Sequence, residues 1–162
     1  MKAVIVYDSF YGHTRKIAES IRDGLGKDHE IVLFRAEVKA RPDLENVDLL
    51  IVGSPTQGGW YTEPIKSFFG QLNESTLKDI CGVAFDTSTY SDNHGFVFGT
   101  LTRLMGNAAP RIAKELTRKG ARCIDSQIFY VEGKKGPLLN GEEERARHWA
   151  GQLMKKHSKT KA

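Results

Sequence analysis

Five short runs of apolar and β-branched residues alternate along the chain with segments whose apolar positions recur at helical spacing. The runs cover residues 3–7, 31–35, 48–53, 80–85 and 123–131. The first, third and fourth are continuously apolar, which is typical of parallel strands covered on both faces. The alternation therefore predicts an α/β fold, a three-layer α/β/α sandwich around a five-stranded parallel sheet.

Four segments carry the helical pattern and supply the outer layers. The second begins at Pro64, where the missing N–H of proline is harmless in a first helical turn. Residues 36–47 are too few for a helix of ordinary length, and Arg41-Pro42-Asp43 favours a loop there. The predicted helices lie at residues 17–25, 64–72, 101–119 (regular from near 108) and 141–156.

Charge and composition narrow the class of protein. The formal net charge is +4, but four lysines lie in residues 155–162, which leaves 20 basic and 20 acidic side chains before them. We predict one domain over residues 1–154 and a frayed basic tail over residues 155–162. No basic stripe interleaved with aromatic residues indicates nucleic-acid binding, and no apolar run predicts membrane insertion or a signal peptide. A cytoplasmic location is the resulting expectation.

The loop after the first strand has the composition of a phosphate site. Residues 8–14 read Asp-Ser-Phe-Tyr-Gly-His-Thr and lead directly into a predicted helix. Backbone N–H groups can converge on an anion there, and the helix N-terminus adds about half a positive charge. Ser9 and Thr14 offer hydroxyl donors, and Gly12 permits a positive φ. An ordinary capped turn without a ligand is the open alternative.

Two further loops at the same edge of the predicted sheet suit a flat aromatic ligand. After the third strand, Gly58-Gly59 supplies an adaptable backbone and Trp60 supplies a face for stacking. After the fourth strand, the polar segment 86–95 offers hydrogen-bonding groups and Tyr90 as a second wall. Ligands of parallel sheets bind beyond the carboxyl ends of the strands. The alternative for Trp60 is a satellite core cluster.

Other chemistries find little support in the chain. A P-loop motif is absent, and no G-x-G-x-x-G follows the first strand. Asp8 fits no phospho-acceptor domain, because Gly53-Ser54 stands where that domain needs an aspartate. Cys81 and Cys123 are predicted core residues and form no zinc-ligand set. Loop histidines such as His94 are better explained as solvated, so we assign no catalytic or metal-binding residue.

The three loops together resemble those of flavodoxins. Residues 9–14 are similar to their S/T-x-T-G-x-T phosphate loop, with Tyr11 in place of the usual threonine, and residues 53–60 resemble the loop beside their flavin. Gly106-Asn107-Ala108-Ala109 is similar to the start of their fourth helix. The resemblance covers nearly the whole chain and implies the short-chain type, strand order 2-1-3-4-5 and bound FMN. The cofactor-binding residues it implies are Ser9, Phe10, Tyr11, Gly12, His13, Thr14, Ser54, Pro55, Thr56, Gln57, Gly58, Gly59, Trp60, Asp86, Thr87, Ser88, Tyr90 and Asn93.

The resemblance implies an FMN-binding electron-transfer protein that exchanges electrons with redox partner proteins or small-molecule donors and acceptors. The Tyr-Gly-His-Thr stretch and Pro55-Thr56 also resemble NAD(P)H:quinone reductases of the same fold. An NAD(P)H-dependent quinone or flavin reductase, an FMN-dependent oxidoreductase, is therefore the alternative. A flavin-free interaction domain is disfavoured because all three loops keep residues suited to a ligand. Typical flavodoxins are strongly acidic, whereas this body is neutral, so their basic partners and very low potentials are not implied.

Overall fold

The computed structural model describes residues 1–90 and 106–161. Their five strands form one parallel sheet in the order β2-β1-β3-β4-β5, with helices on both faces, which confirms the predicted α/β fold and strand order. The elements in chain order are β1 (Lys2–Tyr7), α1 (His13–Leu25), β2 (Glu30–Arg35), β3 (Leu49–Pro55), α2 (Glu63–Gly70), β4 (Cys81–Thr89), α3 (Ala108–Arg118), β5 (Arg122–Val131) and α4 (Glu142–Lys161).

The fourth strand extends past the predicted end of its apolar run. The polar loop predicted to begin at Asp86 is strand as far as Thr89, because residues 86–89 pair in register with β5. Turn-forming propensity is overridden by this ladder, since tertiary pairing outweighs local preference. The polar side chains of this segment therefore lie at fixed, alternating positions on the end of a strand.

Two apolar layers, one on each face of the sheet, form the core. Along β1, Val4 and Val6 point to the layer under α2 and α3, while Ala3 and Ile5 point to the layer under α1 and α4. All four side chains are fully buried, as continuous apolar strands require. Cys81 is a buried core residue, as predicted.

The C-terminal segment differs from the frayed tail that its lysines predict. Helix α4 continues to Lys161, and His157 within it is buried. The Lys156 Nζ lies 2.6 Å from a carboxylate oxygen of Asp125 on β5, which holds this part of the helix against the sheet. No helix among the described residues is both long and apolar enough to cross a membrane.

Close approach of α1 and α4 depends on a glycine. A Cβ on Gly24 would lie 2.3 Å from the main-chain carbonyl oxygen of Arg147. A main-chain atom in a helix cannot rotate away, so the helices would have to separate. Gly70, at the end of α2, has open space around its would-be Cβ and an unstrained backbone.

We predict that Gly24→Ala destabilises the protein by about 1–3 kcal/mol, because it overpacks a helix–helix contact. Gly70→Ala is the matched control and should be neutral or stabilising by up to about 1 kcal/mol. Urea unfolding of both variants and the parent protein measures the difference. Equal free energies of unfolding for the two variants would contradict the role of Gly24.

Candidate functional site

The carboxyl ends of the strands open into a cleft with a volume of ≈ 410 Å³. Its size falls within the usual range for small-molecule sites. Its walls come from the ends of β3, β4 and β5 and from the segments that follow β1, β3 and β5, so the sheet topology brings distant parts of the chain together. The lining residues are Ser9, Phe10, Tyr11, His13, Thr14, Pro55, Thr56, Gln57, Gly58, Thr87, Thr89, Val131 and Lys134.

The first loop presents backbone donors to this cleft. Gly12, the residue directly before α1, has a φ of 88°, a conformation that favours glycine. The Ser9 hydroxyl oxygen accepts hydrogen bonds from the N–H groups of Gly12 (3.1 Å) and Arg15 (3.3 Å) and so fixes the loop. Four other N–H groups donate to no protein acceptor among the described residues, which makes this helix start suitable for an anion. They belong to Phe10, Tyr11, His13 and Thr14.

Two threonine hydroxyls meet at the floor of the cleft. The Oγ1 atoms of Thr14 and Thr87 are 2.8 Å apart, and both residues are buried. Each hydroxyl has one hydrogen, so one of the two donates to the other. The hydrogen of the accepting hydroxyl remains available to a ligand, and the pair joins the first loop to the end of β4.

The second loop closes in a tight turn. Gln57 and Trp60 exchange two main-chain hydrogen bonds of 2.9 and 3.0 Å, while Gly58 and Gly59 have φ values of 53° and 82°. Two consecutive positive φ angles define a turn that requires glycines. Ser54 supports the turn from below, because its hydroxyl oxygen accepts from the Thr62 N–H at 3.0 Å.

The two predicted aromatic walls lie outside the lining of the cleft. Trp60 is 53% exposed, and the guanidinium carbon of Arg111 lies 4.0 Å from its ring centroid. The Arg111 Nε also donates to the Gly59 carbonyl at 2.7 Å. Tyr90 is half-exposed and packs edge-on against Tyr130, with ring centroids 5.5 Å apart. Asn93, together with His94, lies outside the described residues.

Asp86 is buried beneath the loops rather than facing the cleft. Its carboxylate accepts from the Ala109 N–H at 2.8 Å and from the Ser88 hydroxyl at 2.9 Å, so it caps α3. Burial raises the pKa of the Asp86 carboxyl to about 6, although these hydrogen bonds and one from Thr56 oppose the shift. Thr56 in turn accepts from the Ala108 N–H at 3.0 Å, which ties the second loop to the same helix start.

The structure thus separates the predicted site residues into two groups. One group lines the cleft, and the other supports it or lies at its rim, because the side chains of β3 and β4 alternate between faces and some loop positions point inward. The predicted residues that do not line the cleft among those described are Gly12, Ser54, Gly59, Trp60, Asp86, Ser88 and Tyr90.

Three lining residues escaped the sequence prediction: Thr89, which lies within the segment 86–95 that was considered, and Val131 and Lys134, which lie beyond the loops after the first, third and fourth strands. Thr89 ends β4, while Val131 and Lys134 belong to the end of β5 and the segment beyond it. Gly133 and Gly136-Pro137 mark a turn directly after the fifth apolar run. Because every parallel strand ends at the same edge of the sheet, that turn was a usable signal.

A model of the flavodoxin family matches residues 5–149. The chain belongs to the flavodoxin family. It is 26% identical to a flavodoxin from Aquifex aeolicus, over 90% of this chain and 97% of that protein. It is also 29% identical to an NAD(P)H dehydrogenase (quinone) from Gluconacetobacter diazotrophicus, over 64% of this chain but only 66% of that enzyme's length. A solved flavodoxin from the domain Archaea has the same fold, with a TM-score of 0.73 over 98% of this chain and 99% of that one at 20% identity.

The cofactor of this flavodoxin is FMN, in keeping with its family. The residues present fit the group. The N–H groups at the start of α1 that have no protein acceptor among the described residues suit a phosphate, and the positive φ of Gly12 shapes the loop that presents them. Hydroxyl and amide groups along the rest of the cleft suit a polyol chain.

We predict that Asp86→Asn changes how stability depends on pH. The pKa of Asp86 is about 6 in the folded protein against an ordinary 3.8, so its contribution is fully present below about pH 4 and is lost as pH rises through 6. That loss amounts to about 3 kcal/mol, and asparagine does not undergo it. The stability of the parent relative to the variant should therefore fall by about that amount between pH 4 and pH 7.

Urea unfolding of both proteins at intervals between pH 4 and pH 7 measures this difference. The other carboxyl groups titrate alike in both proteins, so their effect cancels in the difference between the two free energies of unfolding. A constant difference in free energy of unfolding across that range would show that Asp86 does not titrate there.

Proposed function

We propose that this flavodoxin is an electron carrier whose residues 9–14 hold the phosphate of FMN. The observation that carries the proposal is the set of N–H groups at the start of α1 that have no protein acceptor among the described residues. Such a set binds a phosphate without arginine or lysine in the loop itself. The Thr14–Thr87 hydroxyl pair adds one O–H donor at the floor of the same cleft.

The remaining loops have proposed roles along the rest of FMN. Pro55 to Gly58 line the cleft beside the first loop and suit the polyol chain and one edge of the flavin ring. Exposed Trp60 and Tyr90, at the rim, are proposed to enclose the ring by stacking. When bound, FMN supplies the redox chemistry, and the protein supplies binding, orientation and electrostatics.

An NAD(P)H-dependent quinone reductase is the second candidate function. Sequence identity to the NAD(P)H dehydrogenase (quinone) favours this function. The carrier function is favoured by the match to the flavodoxin family model and by the flavodoxin relative, which both extend over nearly the whole chain. Hydride transfer to a flavin needs no acid or nucleophile from the protein, so the cleft residues suit both functions. A cytoplasmic location and the identity of the redox partners stay predictions.

Anaerobic reduction distinguishes the carrier from the reductase. We expect purified protein to contain or take up about one FMN per chain and to be reduced by dithionite, but only slowly by NADPH or NADH. The flavin absorbance near the visible maximum is followed after each addition. Rapid reduction by either nicotinamide would assign the reductase function, and preference for FAD or lack of flavin binding would contradict both.

Thr14→Val tests the phosphate assignment, because it keeps the shape of the side chain and removes the hydroxyl. FMN affinity should fall by about ten- to a hundredfold, the usual effect of losing a hydrogen bond to a charged group. Riboflavin has no phosphate, so its affinity should hardly change. Thr117→Val, which removes an exposed hydroxyl on α3, is the control. An equal loss for both flavins would show that Thr14 serves the fold.

A further inference from the structure

The segment after β5 forms a closed loop beside the phosphate loop, and we call residues 132–138 the strap. Val131 and Leu138 pair as an antiparallel bridge, and the Glu132 N–H donates to the Pro137 carbonyl at 2.7 Å. The Thr89 hydroxyl donates to the Gly133 carbonyl at 3.3 Å, which attaches the strap to the end of β4. The strap therefore has a defined conformation at the mouth of the cleft.

His13 of the phosphate loop holds the strap in place. Its Nε2 lies 2.7 Å from the Lys135 carbonyl oxygen, and because a carbonyl only accepts, Nε2 is the donor. The imidazole also fills the space where a side chain on the next strap residue would lie. A Cβ on Gly136 would come within 2.0 Å of His13 Nε2, so only glycine allows this contact.

The strap contributes an exposed lysine, Lys134, to the lining of the cleft. Of the described residues that line it, Lys134 is the one with a permanent charge, and none is acidic. A negative group lies behind the phosphate loop, since the Asp8 carboxylate is buried and accepts from the Ser9 N–H at 2.8 Å. That carboxylate opposes the binding of a doubly charged phosphate. The Arg35 guanidinium, which donates to the Ser9 carbonyl at 3.0 Å, offsets it in part, and a lysine that lines the cleft adds to this effect.

We propose that Lys134 binds the phosphate of FMN and that His13 positions it by holding the strap. Lys134 would then act as a specificity-determining residue, favouring flavins that end in a phosphate over those that do not. The inference rests on the FMN-binding function proposed above. It differs from that function in adding a cation from the β5–α4 connection to a loop that otherwise binds with neutral donors.

Lys134→Gln in the full-length apoprotein tests this assignment. FMN affinity, measured by quenching of flavin fluorescence, should fall about tenfold, the lower end for a charged hydrogen bond because Lys134 is exposed. Riboflavin affinity should stay within about twofold. The dependence of FMN affinity on salt concentration should also become weaker, since one ion pair is lost. Lys134→Arg keeps the charge and should restore most of the affinity.

Lys16→Gln is the matched control, because it removes an exposed lysine near the start of α1, the helix that follows the phosphate loop, and Lys16 does not line the cleft. It should alter FMN affinity by less than about twofold. Equal effects of Lys134→Gln and Lys16→Gln would reduce Lys134 to a general contribution to surface charge. Equal losses of FMN and riboflavin in Lys134→Gln would assign it a structural role. Either result would overturn the proposal.

The positioning role of His13 is tested through two strap glycines. Gly133 and Gly136 both have positive φ, 67° and 89°, so alanine strains the backbone at each, but only at Gly136 does it also strike His13. Gly136→Ala should weaken FMN binding selectively and shift the phosphorus NMR signal of bound FMN, whereas Gly133→Ala should do so much less. Indistinguishable spectra and affinities would overturn the positioning role.

The outcomes also separate this inference from the proposed function. Wild-type protein that binds FMN tightly, together with a Lys134→Gln variant that binds it equally well, would overturn the inference alone. Wild-type protein that binds neither flavin would overturn both. Selective loss of FMN in Lys134→Gln would support both.

Discussion

Burial of both faces of the sheet is the constraint on which the rest of the structure depends. The side chains of β1 and of the first part of β3 are enclosed by helices, so polar groups are confined to the strand ends. Gly53 shows how closely the core is packed there, because a Cβ on it would meet the Phe85 ring at 2.0 Å. The phenyl ring therefore packs directly against the main chain of β3 at Gly53, close to the end of that strand.

Local pattern was sufficient to predict the fold class, because continuous apolar runs and helical spacing are properties of neighbouring residues, whereas the strand order came from the family resemblance. It was insufficient where a boundary depends on a partner far along the chain. Asp86 follows an apolar run and precedes turn formers, yet pairing with β5 keeps it in a strand. The contact of the strap with the phosphate loop could not be predicted for a related reason, since His13 and Lys135 are 122 residues apart in sequence and their contact has no local signature.

The candidate site was predicted best where one short segment determines both the backbone conformation and the hydrogen-bonding groups offered to a ligand. Gly12 has the left-handed φ that its place before a helix suggests, and the neighbouring N–H groups are unpaired within the described part of the chain. Prediction was weaker for polar side chains whose type suits either contact with a ligand or support of the backbone. Ser54 and Asp86 were assigned to the ligand because they are polar residues at strand ends, whereas their hydrogen bonds hold the loops themselves. Polarity alone cannot distinguish a ligand contact from support of the backbone.

The position of Arg111 bears on the redox properties of the proposed carrier. Its guanidinium lies against one face of Trp60 and binds the carbonyl of Gly59, so a single cation orders both the indole and the turn. In the proposed arrangement the flavin stacks near this indole, and a positive charge behind it stabilises added electrons. An electron-rich indole alone has the opposite effect. The neutral body of the chain adds no excess of acidic side chains to oppose reduction. In the proposed arrangement, the contact of Arg111 with Trp60 would therefore offset part of the effect of the indole on the flavin.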